Sequence, residues 1–289
     1  MVRRPLGNHH DGPDTLLVTS DATQTEPVTY ETENDRNERN DRNDRNDRRD
    51  LNNSDELNDL NGLISGARVV LWDFDGPICR LFAGHSAERV ATDLVEWLEG
   101  RGLHGLLTEP ERESLDPHAV LRAVDRRHPG SDLVAELEAR LTQEEMLAAS
   151  SAWPTAYADP LIRTWTAVGS RQAIATNNSP HVVRKYLADR GLLGCFAPHI
   201  YGRTQQLSRL KPDPHCINRA LNAMGAAPAS ALMIGDTPSD LHAARAAGVP
   251  FLGYARNEEK EKILQAAGAT VILSSLEPVL DRIRAAPQA

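Results

Sequence analysis

The amino-acid sequence predicts an α/β fold built on a parallel sheet, with an inserted helical segment and a disordered N-terminal tail. Three short apolar runs predict buried strands, at residues 68–72, 172–175 and 231–234, because strands covered on both faces of a parallel sheet are almost continuously apolar. Helix-like segments separate these runs, and such alternation is typical of an open α/β sheet. A polar cluster follows each run, at the carboxyl ends of strands where such sheets bind ligands.

The first 66 residues of the 289-residue chain differ in composition from the rest. Residues 31–50 contain no apolar side chain, and residues 34–48 are five triplets of the type Asn-Asp-Arg or Asn-Glu-Arg. A period of three matches neither a helix face nor a strand face, and such a segment cannot offset the entropy lost on ordering. We therefore expect residues 1–66 to be a disordered, acidic, low-complexity tail, with leucines near its end that favour a short amphipathic turn or helix.

Charge, hydropathy and cysteine content exclude several classes of protein. Most of the formal net charge of −9 lies in the tail, and the rest of the chain lacks the basic patch that a nucleic-acid binder requires. No apolar run is long enough to cross a membrane, and no apolar stretch of the secretory type follows the N-terminus. Three scattered cysteines indicate neither a disulfide framework nor a zinc site. We expect a cytoplasmic protein that binds neither nucleic acid nor membranes, and its oligomeric state stays open.

The remaining elements follow from apolar spacing and from the residues that end helices. Residues 180–190, 213–224 and 238–247 are predicted helices, and a glycine follows the last two of them, as is typical of helix ends. Further strands are expected at residues 249–254 and 270–273.

Residues 82–159 show a different pattern, with three helical segments, at 85–99, 116–128 and 131–149, and no convincing strand between them. We therefore expect an α/β core formed by residues 67–81 and 160–289, and a helical cap formed by residues 82–159. The cap is expected to cover the site, and its histidines, His118 among them, are expected to be solvated or structural.

Four aspartates follow the first and third predicted strands. Asp73 and Asp75 are two residues apart, so their side chains point the same way if the strand geometry continues. Asp236 and Asp240 follow the third strand. Carboxylates brought together need a cation, and an oxygen-rich site without histidine or cysteine favours Mg²⁺ over zinc. Gly76 allows the chain to turn sharply after the first pair.

These clusters, together with Lys211 between the second and the third of them, contain the groups that phosphoryl transfer needs. One carboxylate can attack phosphorus and form an aspartyl-phosphate, and a second can protonate the leaving oxygen and later deprotonate water. Lys211 is one of four lysines and supplies a positive charge. Thr176 and the backbone of Asn177 offer hydrogen bonds to phosphoryl oxygens.

Taken in order, these clusters resemble the four motifs of the haloacid dehalogenase superfamily, of the phosphoglycolate phosphatase-like type with a helical cap. The motifs are Asp73-Phe74-Asp75-Gly76, Thr176-Asn177, Lys211-Pro212 and Gly235-Asp236-Thr237-Pro238-Ser239-Asp240. The resemblance covers the chain from Ala67 to the C-terminal region and implies a Rossmann-like core. Each motif alone is a weak signal, but the ordered set is a strong one. One departure is Pro77, where the family usually has threonine.

The resemblance also implies a role for each residue. Asp73 is the implied nucleophile and a Mg²⁺ ligand, and Asp75 is the implied general acid/base and binds Mg²⁺ through its carbonyl. The implied catalytic residues are Asp73, Asp75, Thr176 and Lys211. The implied substrate-binding residues are Gly76, Thr176, Asn177 and Lys211. The implied metal ligands are Asp73, Asp75, Asp236 and Asp240, the last of these directly or through water.

The sequence thus predicts a Mg²⁺-dependent phosphatase of a small soluble phosphate monoester, of the phosphoglycolate or sugar-phosphate type. Two alternatives stay open. A phosphosugar mutase of the same superfamily also keeps the second aspartate, Asp75. A non-catalytic interaction protein, in which the tail binds a partner, is disfavoured by the intact set of motifs. At Asp240, a role as cap of the following helix is an equally good interpretation.

Overall fold

The computed structural model describes residues 58–285, so the predicted disorder of residues 1–57 lies outside the described residues. The described chain begins in a helix, α1 (58–66), whose Leu60 is buried in the main core. The end of the predicted tail is therefore helical, because its leucines bury an apolar face against the sheet. Within the described range, no helix has the length and hydropathy of a membrane span.

The described residues form eight strands. Their bounds are β1 (Val69–Trp72), β2 (Cys79–Arg80), β3 (Trp153–Pro154), β4 (Arg171–Ala175), β5 (Ile200–Tyr201), β6 (Ala231–Gly235), β7 (Phe251–Tyr254) and β8 (Ile272–Leu273). Six of them form one sheet in the order β5-β4-β1-β6-β7-β8, and every neighbouring pair is parallel. The predicted parallel α/β sheet is confirmed, with β1 at its centre. The pairing of β5 beside β4 was not predicted, because two residues give no periodic signal.

Four helices lie between β2 and β3 in the chain, and we call them the helical insertion. They are α2 (Ala87–Gly100), α3 (Glu109–Arg112), α4 (Pro117–Arg127) and α5 (Asp132–Ser150). Three of these helices, α2, α4 and α5, match the expected helices to within two residues. Their N-caps are Ser86, Asp116 and Ser131, whose side chains accept hydrogen bonds from the first helical turns. Helix α3 was not predicted, and neither was the antiparallel pairing of β2 with β3 at the base of the insertion.

The remaining helices pack on the two faces of the sheet. They are α6 (Ala158–Ala167), α7 (Pro180–Asp189), α8 (Leu193–Phe196), α9 (His215–Met224), α10 (Pro238–Ala246), α11 (Glu258–Ala266) and α12 (Glu277–Ala285). Alternate residues of β1 point to opposite faces. Val70 and Trp72 belong to the core that includes residues of α6, α7 and α12, whereas Val69 and Leu71 belong to the core that includes α9 and α10.

The helical insertion has a hydrophobic core of its own. Leu94 of α2, Leu121 of α4 and Leu137 of α5 are buried in it. Leu210, which directly precedes Lys211, and Leu207, four residues before it, are buried in the same cluster. The insertion is therefore packed against the segment that carries the predicted catalytic lysine, which places its helices beside the site.

Candidate active site

The predicted site residues meet at one edge of the sheet because three neighbouring parallel strands end there. Trp72 at the end of β1 is paired with Ile174 of β4 and with Ile234 of β6. A cavity of about 360 Å³ opens at this edge. It is lined by Asp73, Asp75, Asp116, His118, Arg122, Asn177, Asn178, Lys211, Pro212, Thr237, Pro238, Ser239 and Asp240.

Five of the predicted residues line this cavity, namely Asp73, Asp75, Asn177, Lys211 and Asp240. The other three, Gly76, Thr176 and Asp236, are not among the residues that line it. The carboxylate of Asp236 is nevertheless close to two of the lining carboxylates, because oxygens of Asp73, Asp236 and Asp240 lie within 4.8 Å of one another. The structure therefore brings the four motifs to one place, as the sequence predicts.

Asp73 is held at the end of β1 by the neighbouring strand, since its backbone N–H donates to the carbonyl of Ile234 at 2.9 Å. Its side chain is buried, and Lys211 Nζ lies 2.7 Å from Oδ1 as an ion contact without hydrogen-bond geometry. Burial and the Asp240 carboxylate raise the pKa of Asp73 to about 6, although Lys211 opposes the shift. A carboxylate held this way is short of partners and is available to an electrophile.

Asp75 lines the same cavity and is fixed by the loop that follows it. Its Oδ1 accepts a hydrogen bond from the backbone N–H of Leu81 at 2.8 Å. Burial raises the pKa of Asp75 to about 6 despite this bond. An acid whose pKa lies this close to neutrality can both donate and accept a proton near physiological pH.

Gly76 is required at the turn between these aspartates and the insertion. Its φ of +119° is unfavourable for any other residue, and a Cβ there would lie 2.3 Å from Cγ of Asp236. Its carbonyl accepts a hydrogen bond from Thr155 Oγ1 at 2.6 Å. Gly76 therefore lets the backbone of the first motif lie directly against the carboxylate of the fourth.

Lys211 is almost completely buried and joins three motifs. Its Nζ lies 2.5 Å from Asp240 Oδ1 and donates to the carbonyl of Ala175 at 3.0 Å, besides the contact with Asp73. Burial lowers the pKa of Lys211, but Asp240 and Asp73 outweigh it, so the pKa lies above the ordinary value. Lys211 therefore carries a positive charge in this cavity.

The second and third motifs are joined by a reciprocal pair of hydrogen bonds. The backbone N–H of Lys211 donates to Asn177 Oδ1 at 2.7 Å, and Asn177 Nδ2 donates to the carbonyl of Lys211 at 3.3 Å. The Asn177 side chain thus fixes the loop that carries the lysine. The hydroxyl of Thr176 is buried and donates to Asn178 Oδ1 at 3.0 Å.

Asp240 has both carboxylate oxygens engaged. Oδ1 is paired with Lys211, and Oδ2 accepts from the backbone N–H of Asp236, the backbone N–H of Thr237 and the hydroxyl of Thr237. Thr237 and Asp240 form a capping box at the start of α10. The structure thus supports the interpretation of Asp240 as a helix cap and as a partner of the lysine, and its role as a metal ligand stays a prediction.

Lys260 contacts the site but was not singled out from the sequence. It lies in α11, and its Nζ is 2.7 Å from Asp236 Oδ2. Asp236 Oδ1 is buried and has no hydrogen-bond partner among the described residues. Burial raises the pKa of Asp236 to about 6 in spite of Lys260. The scarcity of lysine in the chain is the sequence feature that could have drawn attention to Lys260. Nothing in the sequence near residue 260 resembles a motif.

The helical insertion contributes Asp116, His118 and Arg122 to the cavity from α4 and its N-cap. His118, which is expected to be solvated or structural, contacts the carboxylates of Asp116 and Glu145, and its side chain also lines the cavity. Burial lowers the pKa of His118, but these two carboxylates outweigh it, so the pKa lies above the ordinary value. The insertion therefore supplies charged groups to the lining of the cavity.

Known proteins resemble this chain over its central part. The family model of haloacid dehalogenase-like hydrolases matches residues 67–248. A phosphoglycolate phosphatase of Rhodospirillum rubrum is 36% identical over 114 residues, which are 38% of this chain and 46% of that protein. A phosphoserine phosphatase of Thermus thermophilus is 38% identical over 82 residues, which are 28% of this chain and 32% of that protein. The chain thus aligns with less than half the length of either relative.

Solved structures share the fold. The crystal structure of a predicted phosphatase from Clostridium acetobutylicum superposes with a TM-score of 0.54 at 17% sequence identity. The superposition covers 75% of this chain and 97% of that chain. At this identity the likeness shows the fold alone.

Proposed function

The chain belongs to the haloacid dehalogenase-like hydrolase family, and on that premise we propose that it is a Mg²⁺-dependent phosphatase of small soluble phosphate monoesters. The observation that carries the proposal is the position of Asp73, which shares one cavity with Asp75 and has Lys211 at 2.7 Å. The phosphoglycolate and phosphoserine phosphatases among its relatives support a small phosphate monoester as the substrate, with phosphoglycolate as a first candidate.

In the first half of the proposed reaction, a carboxylate oxygen of Asp73 attacks the phosphorus atom of the ester. An oxygen–phosphorus bond forms, and the bond between phosphorus and the ester oxygen breaks, which leaves an aspartyl-phosphate. Asp75 donates its proton to the departing oxygen, so the alcohol leaves neutral. The raised pKa of Asp75, about 6, keeps enough of the acid form available at near-neutral pH.

In the second half, Asp75 takes a proton from a water molecule that attacks the same phosphorus atom. The bond between phosphorus and the Asp73 oxygen breaks, which releases inorganic phosphate and restores both side chains. Lys211 offsets the negative charge that collects on Asp73 and on the phosphoryl oxygens. We call residues 176–179 the phosphate-binding segment, since Thr176 and the Asn177 backbone are proposed to donate hydrogen bonds to those oxygens.

The donor set fits Mg²⁺, which prefers oxygen ligands. The Asp236 oxygen that lacks a partner and the Asp73 oxygen that has only an ion contact are both buried, and buried oxygens are normally paired. Asp73 and Asp236 would hold the ion with the carbonyl of Asp75, and Asp240 would support them. When bound, the ion supplies positive charge that offsets the phosphoryl oxygens during attack.

We further propose that residues 82–159 act as a cap over this site. The support for this is that α4 and its N-cap supply part of the cavity lining, and that Glu145 of α5 accepts hydrogen bonds from Asn178 and Ser179 of the phosphate-binding segment. Residues 67–81 and 160–289 would then form the catalytic core. A cap that excludes bulk water would strengthen the electrostatic contacts of Lys211 with the phosphoryl group.

The experiment that tests the proposal is hydrolysis of p-nitrophenyl phosphate and of a panel of small phosphate esters, with and without Mg²⁺. We expect Mg²⁺-dependent release of inorganic phosphate from the full-length protein, and a loss of about 10³-fold or more in Asp73→Asn. A chain that releases no more phosphate than Asp73→Asn from any ester would refute the proposal. Interconversion of sugar phosphates without net phosphate release would instead indicate the mutase.

A further inference from the structure

A second group of buried charges lies beside the cavity, between α5 and the loop that follows β5. It is centred on Glu145 and Arg203, whose side chains are both completely buried. Arg203 Nη1 donates to Glu145 Oε1 at 2.8 Å, and Nη2 donates to Oε2 at 3.0 Å, so the contact is bidentate. Arg203 also donates to Glu138 and Thr142 on the same helix. The guanidinium is thus attached firmly to α5.

Four hydrogen bonds connect this pair to the phosphate-binding segment. Glu145 accepts from the side-chain amide of Asn178 and from the backbone N–H of Ser179, both at 3.0 Å. Arg203 donates from its side chain to the carbonyl of Asn177 at 3.1 Å, and from its backbone N–H to the carbonyl of Asn178 at 2.9 Å. Three of these four bonds involve backbone groups of the segment, so the pair holds the segment mainly by its main chain.

Asn178 extends this contact to Thr176. The Thr176 hydroxyl donates to Asn178 Oδ1 at 3.0 Å, and the Asn178 backbone N–H donates back to that hydroxyl at 3.3 Å. Gly202 allows the close approach, because a Cβ there would lie 2.4 Å from the carbonyl oxygen of Asn178. Arg203 itself is absent from the described lining of the cavity. It can therefore act on a ligand only through the lining residues that it contacts, which are those of the segment and His118, whose Nε2 lies 3.2 Å from Nη1.

We propose that Arg203 and Glu145 are positioning residues that hold the phosphate-binding segment in the conformation that recognises a phosphoryl group. This inference rests on the proposed function, which gives the segment its role. The planar guanidinium is suited to the task because it reaches a carboxylate, a backbone carbonyl and a hydroxyl at once, which a lysine ammonium cannot do with the same geometry. The buried pair thereby connects the helical insertion to phosphate recognition.

The test is Arg203→Lys, which keeps the positive charge beside Glu145 and removes the fork. We expect the KM for p-nitrophenyl phosphate and the inhibition constant for inorganic phosphate to rise together by about tenfold, because misplaced donors weaken binding of the phosphoryl group in substrate and product alike. We expect kcat to fall less than KM rises.

The matched control is Arg190→Lys, since Arg190 also donates twice to a carboxylate, that of Asp159, but away from the segment. It should leave both constants unchanged. If Arg203→Lys lowers the unfolding temperature but leaves KM and the inhibition constant at the wild-type values, the pair is only structural and the proposal is overturned.

A second variant keeps the test open if Arg203→Lys does not fold. Asn178→Ala breaks the link from Glu145 to Thr176 while leaving the ion pair intact, and it should raise the same two constants. Unchanged constants in this variant would likewise overturn the proposal. If the wild type hydrolyses no ester, the proposed function fails by itself. Calorimetric binding of inorganic phosphate to wild type and Arg203→Lys, in the presence of Mg²⁺, then tests the positioning role separately.

Discussion

Two groups of buried charges lie next to each other in this molecule, and they are balanced differently. Around Glu145 and Arg203, each carboxylate oxygen of the pair accepts hydrogen bonds, and the pKa of Glu145 is lowered to about 2 because Arg203 and His118 outweigh burial. Around Asp73 and Asp236, carboxylates outnumber cations, and burial raises both pKa values to about 6.

The difference separates a fully paired group of charges from a site prepared for ligands. A buried charge that is fully paired and hydrogen-bonded is stable where it is, whereas one with a buried oxygen lacking a partner is unfavourable until something binds to it. Asp236 has such an oxygen, and Glu145 has none among the described residues. The carboxylate cluster therefore lowers the stability of the folded state. Such perturbed groups are common at catalytic sites.

The largest expected effect is a loss of stability when the Glu145–Arg203 pair is altered. Glu145→Gln keeps the shape of the side chain but removes the charge that Arg203 faces and turns an acceptor into a donor. We expect a loss of about 3–5 kcal/mol in the free energy of unfolding, because a buried guanidinium is left with one weaker carboxylate partner. Urea unfolding at pH 8 measures it.

The neighbouring Glu144→Gln is the matched control on the same helix. Glu144 pairs with His85 near the surface, so its loss should change the free energy of unfolding by less than about 1 kcal/mol. Equal effects of the two substitutions would contradict the assignment of Glu145 to a buried, balanced pair.

The same kind of substitution among the carboxylates around Asp73 and Asp236 should raise the free energy of unfolding rather than lower it. Asp73→Asn removes a carboxylate whose raised pKa shows that its charge is unfavourable in the folded state. We expect the free energy of unfolding of metal-free Asp73→Asn to exceed that of the wild type by on the order of 1–3 kcal/mol at pH 8. Urea unfolding in the presence of a chelator measures the difference. A loss of stability at pH 8 would contradict the picture of an overcharged site.

The dependence of this gain on pH follows from linkage. The folded-state pKa of Asp73, about 6, lies above its ordinary value of 3.8, so the folded state binds more protons than the unfolded state between these values. The destabilisation by Asp73 is therefore full above pH 6 and disappears as the pH falls towards 4. The gain in Asp73→Asn should shrink over that window, whereas the contribution of Glu145 is present above about pH 4.5 and is lost only in stronger acid.

The smallest expected effect concerns Lys260. Its ammonium lies 2.7 Å from Asp236 Oδ2 and competes with a divalent ion for that carboxylate. We expect Lys260→Gln to bind Mg²⁺ several-fold more tightly in calorimetric titration, a change of roughly 1 kcal/mol.

Lys262→Gln is the control, because Lys262 lies in the same helix, is mostly exposed and has only a 4.0 Å contact with Glu258. Weaker binding of Mg²⁺ in Lys260→Gln than in this control would show that the lysine supports the ion rather than competing with it.

The sequence could predict the groups whose signal is local. Asp73 and Asp75 lie in a short motif directly after an apolar strand, and parallel strands bring such ends together wherever they occur in the chain. Lys211 lies in a short motif of its own between the second and third predicted strands. The central strands and the three long helices of the insertion are likewise periodic enough to be recognised. The family resemblance added the roles of these residues, which spacing alone leaves open.

The rest of the site could not be predicted because its contacts join distant residues without a local pattern. Arg203 meets Glu145 across 58 residues, and Lys260 meets Asp236 across 24. Arginine and lysine in such positions are usually solvated, and only packing decides otherwise. The short strand β5, which places Arg203 beside the phosphate-binding segment, is itself too brief to give a periodic signal.

The central claim is that the cluster of carboxylates around Asp73 and Asp236 is prepared to bind a divalent cation, whereas the Glu145–Arg203 pair is not. The direct test is the thermal unfolding midpoint at pH 8 as Mg²⁺ is added to wild type, Asp236→Asn and Glu144→Gln. Since a ligand of the folded state stabilises it by mass action, the midpoint should rise with Mg²⁺ in wild type and Glu144→Gln but not in Asp236→Asn. An equal rise in all three proteins, or none in wild type, would contradict the account.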